Sequence, residues 1–216
     1  MYRHFFKRLI DIVLSFIGIV VLALPMIVFA FIIKAEDPGP VFFRQKRIGI
    51  HKTQFGLLKF RSMKMSTPHD MPTHMLENPE QYILKCGRWM RKMSIDELPQ
   101  LFNIFTGKMS IIGPRPALWN QDDLIAERDK YGANDIKPGL TGWAQINGRD
   151  ELEIPVKAKL DGEYVVALNA GHGKGFAMDC KCFFGTIKSV LHHDGVVEGG
   201  TGEMKREEKE KETVEK

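Results

Sequence analysis

The feature that most constrains this chain is an apolar run near its start. Residues Ile12 to Ile33 carry no charged side chain. As a helix rising about 1.5 Å per residue, that run is long enough to cross a bilayer. A secretory signal is the competing reading. It fits less well: the run is longer than a usual signal core, no small-residue cleavage site follows, and Lys34-Ala35-Glu36-Asp37-Pro38 leads directly into a globular pattern. A retained membrane anchor is expected. Its topology stays open on the residues alone. Arg3, Lys7 and Arg8 precede the run and Lys34 follows it. The denser positive cluster places the N-terminal side in the cytoplasm, and a straight span would put the rest of the chain outside. Pro25, near the middle, removes a backbone hydrogen bond and can kink the helix. A sharp kink makes the run a re-entrant hairpin; a tolerated bend in a spanning helix is the other reading. Asp11 lies three and four residues from Arg8 and Lys7, which predicts a salt bridge on the helix surface.

The 216 residues, 44% of them hydrophobic, suffice for one substantial core plus appendages. Cys86, Cys180 and Cys182 form neither a C-x-x-C pair nor a zinc spacing, and read as buried, reduced thiols. The formal net charge of +4 suits phosphate ligands or an anionic membrane surface. Neither a dinucleotide fingerprint nor a P-loop is present, and no nucleic-acid partner is expected.

Beyond the anchor, Val41–Gly49 and Gln54–Met63 read as a β-hairpin or two extended segments. Lys59 and Arg61 alternate with Leu58 and Phe60, which puts both cations on one face, either solvated or turned toward a phosphate. Ser66 to Glu80 is a loop in which His69 and His74 have no metal-ligand neighbours. Glu80–Lys92 is predicted helical, with Lys85, Arg88, Arg91 and Lys92 beside an apolar stripe. A bilayer-surface helix and a core-facing helix both fit it. Trp119–Tyr131 is predicted as an acidic helix, Ile154–Asn169 as a helix containing Asp161, and Phe176–Leu191 as a final helix. The Lys/Glu-rich stretch from Glu203 onward has the composition of a disordered tail.

The densest chemistry lies at Ser94-Ile95-Asp96-Glu97-Leu98-Pro99-Gln100. Ser94 followed three residues later by Glu97 is a capping-box pattern, and Pro99 bars an unbroken helix from upstream. Asp96 and Glu97 are therefore expected at a helix N-terminus, where free N–H groups favour anions, with the helix running to about Phe105. A capped acidic first turn is the bland alternative. Gly113-Pro114-Arg115-Pro116 stiffens the backbone around one Arg, which suits bidentate phosphate binding or a plain surface ion pair. Ile136–Arg149, with three glycines, reads as a shaped loop with a short strand, whose N–H groups could approach phosphate. Gly171–Gly175 lacks the spacing of a phosphate loop and reads as a turn.

Taken in order, Lys7-Arg8-Leu9-Ile10-Asp11, Pro38-Gly39-Pro40-Val41-Phe42, Gln45-Lys46-Arg47-Ile48-Gly49, Lys59-Phe60-Arg61-Ser62-Met63, Asp96-Glu97-Leu98-Pro99-Gln100-Leu101, Gly113-Pro114-Arg115-Pro116 and Lys137-Pro138-Gly139-Leu140-Thr141-Gly142-Trp143 resemble the bacterial sugar transferase family, the monotopic phosphoglycosyl transferases. The resemblance covers Lys7 to about Gly195. It implies an α+β, mainly helical protein: a re-entrant membrane helix over residues 1–35, a cytoplasmic catalytic domain over 36–200 with a short β-hairpin and amphipathic interfacial helices, and a charged tail over 201–216. It implies transfer of a phosphosugar from a UDP-sugar to polyprenol phosphate at the inner (cytoplasmic) membrane. The route is a covalent phosphosugar on Asp96, with Mg²⁺ held by Asp96 and Glu97 as proton-transfer partner. Arg115 would hold phosphate. Lys59, Arg61 and Arg149 are further candidates for that work, and Asp161 a supporting one through the metal. Pro25 would be the kink, although Leu24 stands where the family often has Ser. Small members of the family often use N-acetylated amino sugars. Downstream glycosyltransferases or self-association are further possible partners. Two other classes stay open: a membrane-anchored phosphate-ester hydrolase, and a non-catalytic nucleotide-sugar-binding module.

Overall fold

The computed structural model describes residues 2–67, 79–148 and 151–192. The apolar run forms one helix, α1 (Lys7–Glu36), with Pro25 inside it. The buried positions of α1 are Lys7, Asp11, Ser15, Met26 and Ile33, and the half-buried Gly18, Leu22 and Phe29 fall on the same line. Their spacing of three and four residues is the period of a single helical stripe. Val13, Val20, Leu24, Ile27 and Phe31, on the opposite side, are exposed. The helix thus presents one face to the protein and, from Leu9 to Ile32, a wholly apolar face outward.

Both ends of α1 are fastened. At its start, the Arg8 guanidinium donates to the carbonyls of Ile104 (2.6 Å) and Phe105 (2.7 Å), the C-terminal end of α3 (Gln100–Phe105). Gly18 lets the two helices approach closely: a Cβ there would lie 3.1 Å from a Leu101 methyl. Lys7 donates to Asp179 at 2.8 Å, and the hydroxyls of Tyr2 (2.5 Å) and Tyr164 (2.7 Å) donate to the same carboxylate. At its far end, Met26 and Ile33 pack with Phe60, Leu84 and Met90. The Glu36 carboxylate accepts the N–H groups of Lys85 (2.5 Å) and Cys86 (3.0 Å), capping α2 (Lys85–Lys92). The expected salt bridge of Asp11 on the helix surface is replaced by a buried contact. Its carboxylate accepts the Ser110 hydroxyl at 3.0 Å and the Ile111 N–H at 2.9 Å, because Asp11 sits in the inward stripe and a buried carboxylate needs donors.

The expected hairpin forms from β1 (Phe42–Ile48) and β2 (Gln54–Phe60), paired antiparallel with Phe43 opposite Lys59. A second, parallel pair joins β3 (Ser110–Ile112) to β4 (Gly139–Thr141), with α4 (Asp122–Asp129) in the connection. The glycines of the 136–149 stretch serve this crossing. A Cβ on Gly139 would lie 2.1 Å from the Gly113 nitrogen, and one on Gly142 2.2 Å from the Gly113 carbonyl oxygen. The N–H groups of Gly113 and Gly139 are spent on the Thr141 and Pro114 carbonyls, so at these positions the glycines allow close packing and their amides are not free for phosphate. The remaining α-helices among the described residues are α5 (Trp143–Ile146), α6 (Ile154–Asn169) and α7 (Lys174–His192). Tyr164, Val165, Leu168 and Cys182 form a core with Ile112 of β3.

Two helices are shorter than the periodicity predicts. The expected helix over Glu80–Lys92 begins only at Lys85, because Ile83 bridges to Met63 and the Leu84 N–H donates to the Ser62 carbonyl at 3.0 Å. The helix expected over Trp119–Tyr131 spans Asp122–Asp129. Trp89 of α2, 52% exposed, stacks on Phe29 of α1 with ring centroids 5.6 Å apart, so the basic helix lies against the membrane-type helix. His69, His74, Arg149 and the charged tail lie outside the described residues.

Candidate active site

Asp96 and Glu97 occupy a 3₁₀ turn, Ile95–Glu97, immediately ahead of α3. The expected capping box does not form. Ser94 adopts a left-handed conformation (φ 54°) that ends α2 and reverses the chain, and its side chain caps nothing. Pro99 separates the turn from α3, and the N–H groups of Glu97, Leu98, Leu101 and Phe102 are already spent on local carbonyls. The amides of Glu97 and Leu98 are thus taken up within the turn, and the side chains that meet Glu97 are the cations Arg115 and Lys59.

Glu97 is the hub. The Arg115 guanidinium donates to both of its oxygens, at 2.5 and 3.3 Å, and Lys59 Nζ donates to Oε1 at 3.1 Å. Burial alone would raise the Glu97 carboxyl. Arg115 and Lys59 override it and hold the group well below the usual carboxylate range. Glu97 is therefore an ionised anchor for two cations. Asp96 lies beside it, buried, with one carboxylate oxygen 4.0 Å from Lys59 Nζ. Lys59 reaches both carboxylates from β2, and Arg115 comes from the loop after β3.

That loop is held carbonyl by carbonyl. The Pro114 carbonyl accepts the Gly139 N–H and the Ala117 carbonyl accepts the Ile48 N–H, each at 2.9 Å. The Pro116 carbonyl accepts a guanidinium N–H from Arg47, and the Arg115 carbonyl accepts one from Arg128, again each at 2.9 Å. Prolines on either side of Arg115 fix φ and supply no N–H of their own. A planar fork on such a rigid stalk suits bidentate recognition.

The other sequence candidates sit elsewhere. Arg61 lies just past β2 and pairs with Asp37, also donating to the Pro40 carbonyl at 2.7 Å. It joins β2 to the end of α1 and does not reach the dyad pair of cations. Asp161, on α6, is 1% exposed in its side chain and locked to Arg128 (4%) at 2.6 Å. Burial pushes its carboxyl up against the pull of Arg128. Arg47 and Arg128 were not legible as site residues. The available signal for Arg128 was position: it falls four residues after the buried Leu124 on α4, and a charge in a buried stripe needs a partner.

Among the described residues no group of three or more His, Cys, Asp or Glu side chains could cage a metal ion. Mg²⁺ at phosphoryl-transfer sites typically takes one or two carboxylates and completes its shell with substrate phosphate and water. The donor set fits that pattern through Asp96. Glu97 is committed to two cations, and Asp161 is closed off by Arg128.

A family model described as bacterial sugar transferase matches residues 2–193. The chain is 36% identical over 190 residues to an uncharacterized sugar transferase, EpsL, of Bacillus subtilis, covering 88% of this chain and 89% of that one. It is 37% identical over 195 residues to the undecaprenyl-phosphate glucose phosphotransferase of Komagataeibacter xylinus, covering 86% of this chain but 36% of the relative. It is 33% identical over 198 residues to the UDP-N-acetylgalactosamine-undecaprenyl-phosphate N-acetylgalactosaminephosphotransferase of Aeromonas hydrophila, covering 87% of this chain and 44% of that protein.

Proposed function

Since the chain belongs to the bacterial sugar transferase family, we propose that it transfers a phosphosugar from a UDP-sugar to polyprenol phosphate, releasing UMP. The observation that carries this reading is the buried Asp96 carboxylate 4.0 Å from Lys59 and next in the chain to Glu97, which holds both Lys59 and Arg115. A carboxylate attacks a phosphate slowly because like charges repel, and paired cations remove that obstacle. In the first step an Asp96 oxygen attacks the sugar-bearing phosphorus, the bond to the UMP oxygen breaks, and UMP leaves. In the second, an oxygen of polyprenol phosphate attacks the same phosphorus, giving polyprenol-diphosphate sugar and freeing Asp96. The covalent intermediate lets a soluble donor and a lipid acceptor be handled in turn. Asp96 is the residue that would hold Mg²⁺, which would supply charge neutralisation at the reacting phosphate. When incoming phosphate draws Lys59 and Arg115 toward itself, Glu97 loses the charges that keep it ionised. Its basicity then rises, fitting it to accept a proton from the acceptor.

The proposed donor sugar is an N-acetylated amino sugar. The Aeromonas relative is named for one and the Komagataeibacter relative for glucose, so a UDP-sugar panel read by UMP release decides it. The same assay separates the alternatives. UMP release that grows on adding polyprenol phosphate supports transfer; donor hydrolysis indifferent to the acceptor indicates a phosphate-ester hydrolase; no UMP with any donor indicates a binding module.

For topology, we propose that α1 is re-entrant and the catalytic domain faces the cytoplasm. The support is the attachment of both ends of α1 to one body, through Lys7 and Arg8 at one end and Ile33 and Glu36 at the other. Single cysteines placed at Tyr2 and Lys52 are expected to label from the same side of sealed vesicles. Labelling from opposite sides would contradict the re-entrant arrangement.

A further inference from the structure

Among the described residues, Arg128 and Asp161 form the most completely buried ion pair, with side chains 4% and 1% exposed. A charge pair of this kind usually returns little net stability against the desolvation of its members. Its geometry points to a different use. Asp161 Oδ2 accepts from Arg128 Nε at 2.8 Å and lies 2.6 Å from Nη2, which leaves Nη1 as the free arm of the fork. That arm donates to the main-chain carbonyl of Arg115 at 2.9 Å. The Arg115 side chain in turn grips both oxygens of Glu97. A chain of hard contacts thus runs from α6 through α4 to the loop and ends on the catalytic pair.

Asp161 anchors the Arg128 guanidinium, its Oδ2 accepting the Nε–H at 2.8 Å and lying 2.6 Å from Nη2. The remaining nitrogen, Nη1, is directed at the Arg115 carbonyl. Lysine could supply the charge but not the second and third directions at once. The neighbouring carbonyls of Pro114, Pro116 and Ala117 are held by Gly139, Arg47 and Ile48. Arg128 holds the carbonyl of Arg115, one of the two residues whose side chains meet Glu97.

We infer that Arg128, oriented by Asp161, is a positioning residue that aims the Arg115 guanidinium at Glu97 and at the incoming phosphate, so that Asp161 acts through Arg115 and not through the metal. This rests on the proposed phosphosugar transfer for its kinetic consequence, though not for the geometry. A misplacement of about 1 Å in a catalytic group can cost on the order of 10²-fold in rate.

The test is a double-mutant cycle in the full-length protein in nanodiscs, with folding checked by thermal melts. Arg128→Lys is expected to lower kcat about 30-fold or more while KM for the donor changes less than about 3-fold. In an Arg115→Lys background the same change is expected to cost less than about 3-fold, because the group it aims has already lost its fork. Equal losses in both backgrounds would mean that Arg128 supports the fold generally, and would overturn the inference. Asp161→Asn is expected to lower kcat with the Mg²⁺ concentration at half-maximal rate unchanged. A tenfold rise in that concentration would instead make Asp161 a metal residue and overturn it too. If Arg128→Lys does not fold, Asp161→Asn carries the cycle. A wild type that releases no UMP would sink the functional reading. The positioning claim is still decided there by amide hydrogen exchange: Arg128→Lys must speed exchange in the 113–118 segment, and unchanged exchange there would overturn it.

Discussion

Asp96→Asn is expected to abolish turnover, by roughly 10⁴-fold or more, while leaving the protein folded. The amide matches the carboxylate in size, and Lys59 is 4.0 Å from the Asp96 oxygen but 3.1 Å from Glu97. Lys59 and Arg115 therefore keep their anchor, and the melting temperature should move little. What is lost is the nucleophile, since a neutral amide oxygen does not displace UMP. Glu97→Gln should behave differently. It removes the anchor of both cations, so a drop in melting temperature is expected together with slow transfer to the acceptor, with the first step surviving in part. UMP release and thermal melts on the two variants side by side check this. Normal turnover by folded Asp96→Asn would remove Asp96 from the chemistry.

Arg115→Lys is expected to cost about 10²-fold in kcat, comparable to removing one preorganised donor from a charge-stabilising site. The reason is geometric. Arg115 reaches both Glu97 oxygens at once, at 2.5 and 3.3 Å, from a loop whose carbonyls are each tied down. Lysine on the same stalk offers a point charge that can satisfy one oxygen. The control is Arg88→Lys on α2, where Arg88 is exposed and only loosely paired with Glu80 at 3.6 Å. Exposed pairs contribute little, and activity there should stay within about twofold. Steady-state kinetics on both proteins decide it. Near-normal turnover by Arg115→Lys would show that the fork is not what the phosphate meets.

The elements that periodicity and turn chemistry specify were legible. Ile154–Asn169 is a helix over the expected residues, and the hairpin forms where the alternation and the intervening turn put it. The parallel pairing of β3 with β4 was not, because each strand is three residues long and their contact depends on glycines far apart in sequence. At the site, motif order singled out Asp96, Glu97, Arg115 and Lys59, and the structure brings these four together. Local pattern misled at Ser94 and Asp11. In both cases a nearby partner in sequence was expected, and a tertiary one is found: Arg115 and Lys59 for Glu97, and β3 for Asp11. Arg61 alternates correctly with Lys59 yet serves Asp37, since alternation gives a face and not a partner. Arg128 had no motif to announce it, because its role is set by what α4 packs against.

The central claim, a phosphosugar carried on Asp96, is tested most directly by intact-protein mass measurement. Wild-type protein, Mg²⁺ and a UDP-sugar labelled in the sugar are mixed without polyprenol phosphate and quenched in acid, where an acyl phosphate is spared the nucleophiles that cleave it. A mass gain of one phosphosugar, lost when polyprenol phosphate is added before the quench and absent in Asp96→Asn, is the expected result. Full turnover with no mass gain on the wild type, or the same gain on Asp96→Asn, would contradict the account and leave direct attack by the acceptor, or a different nucleophile, as the chemistry of this site.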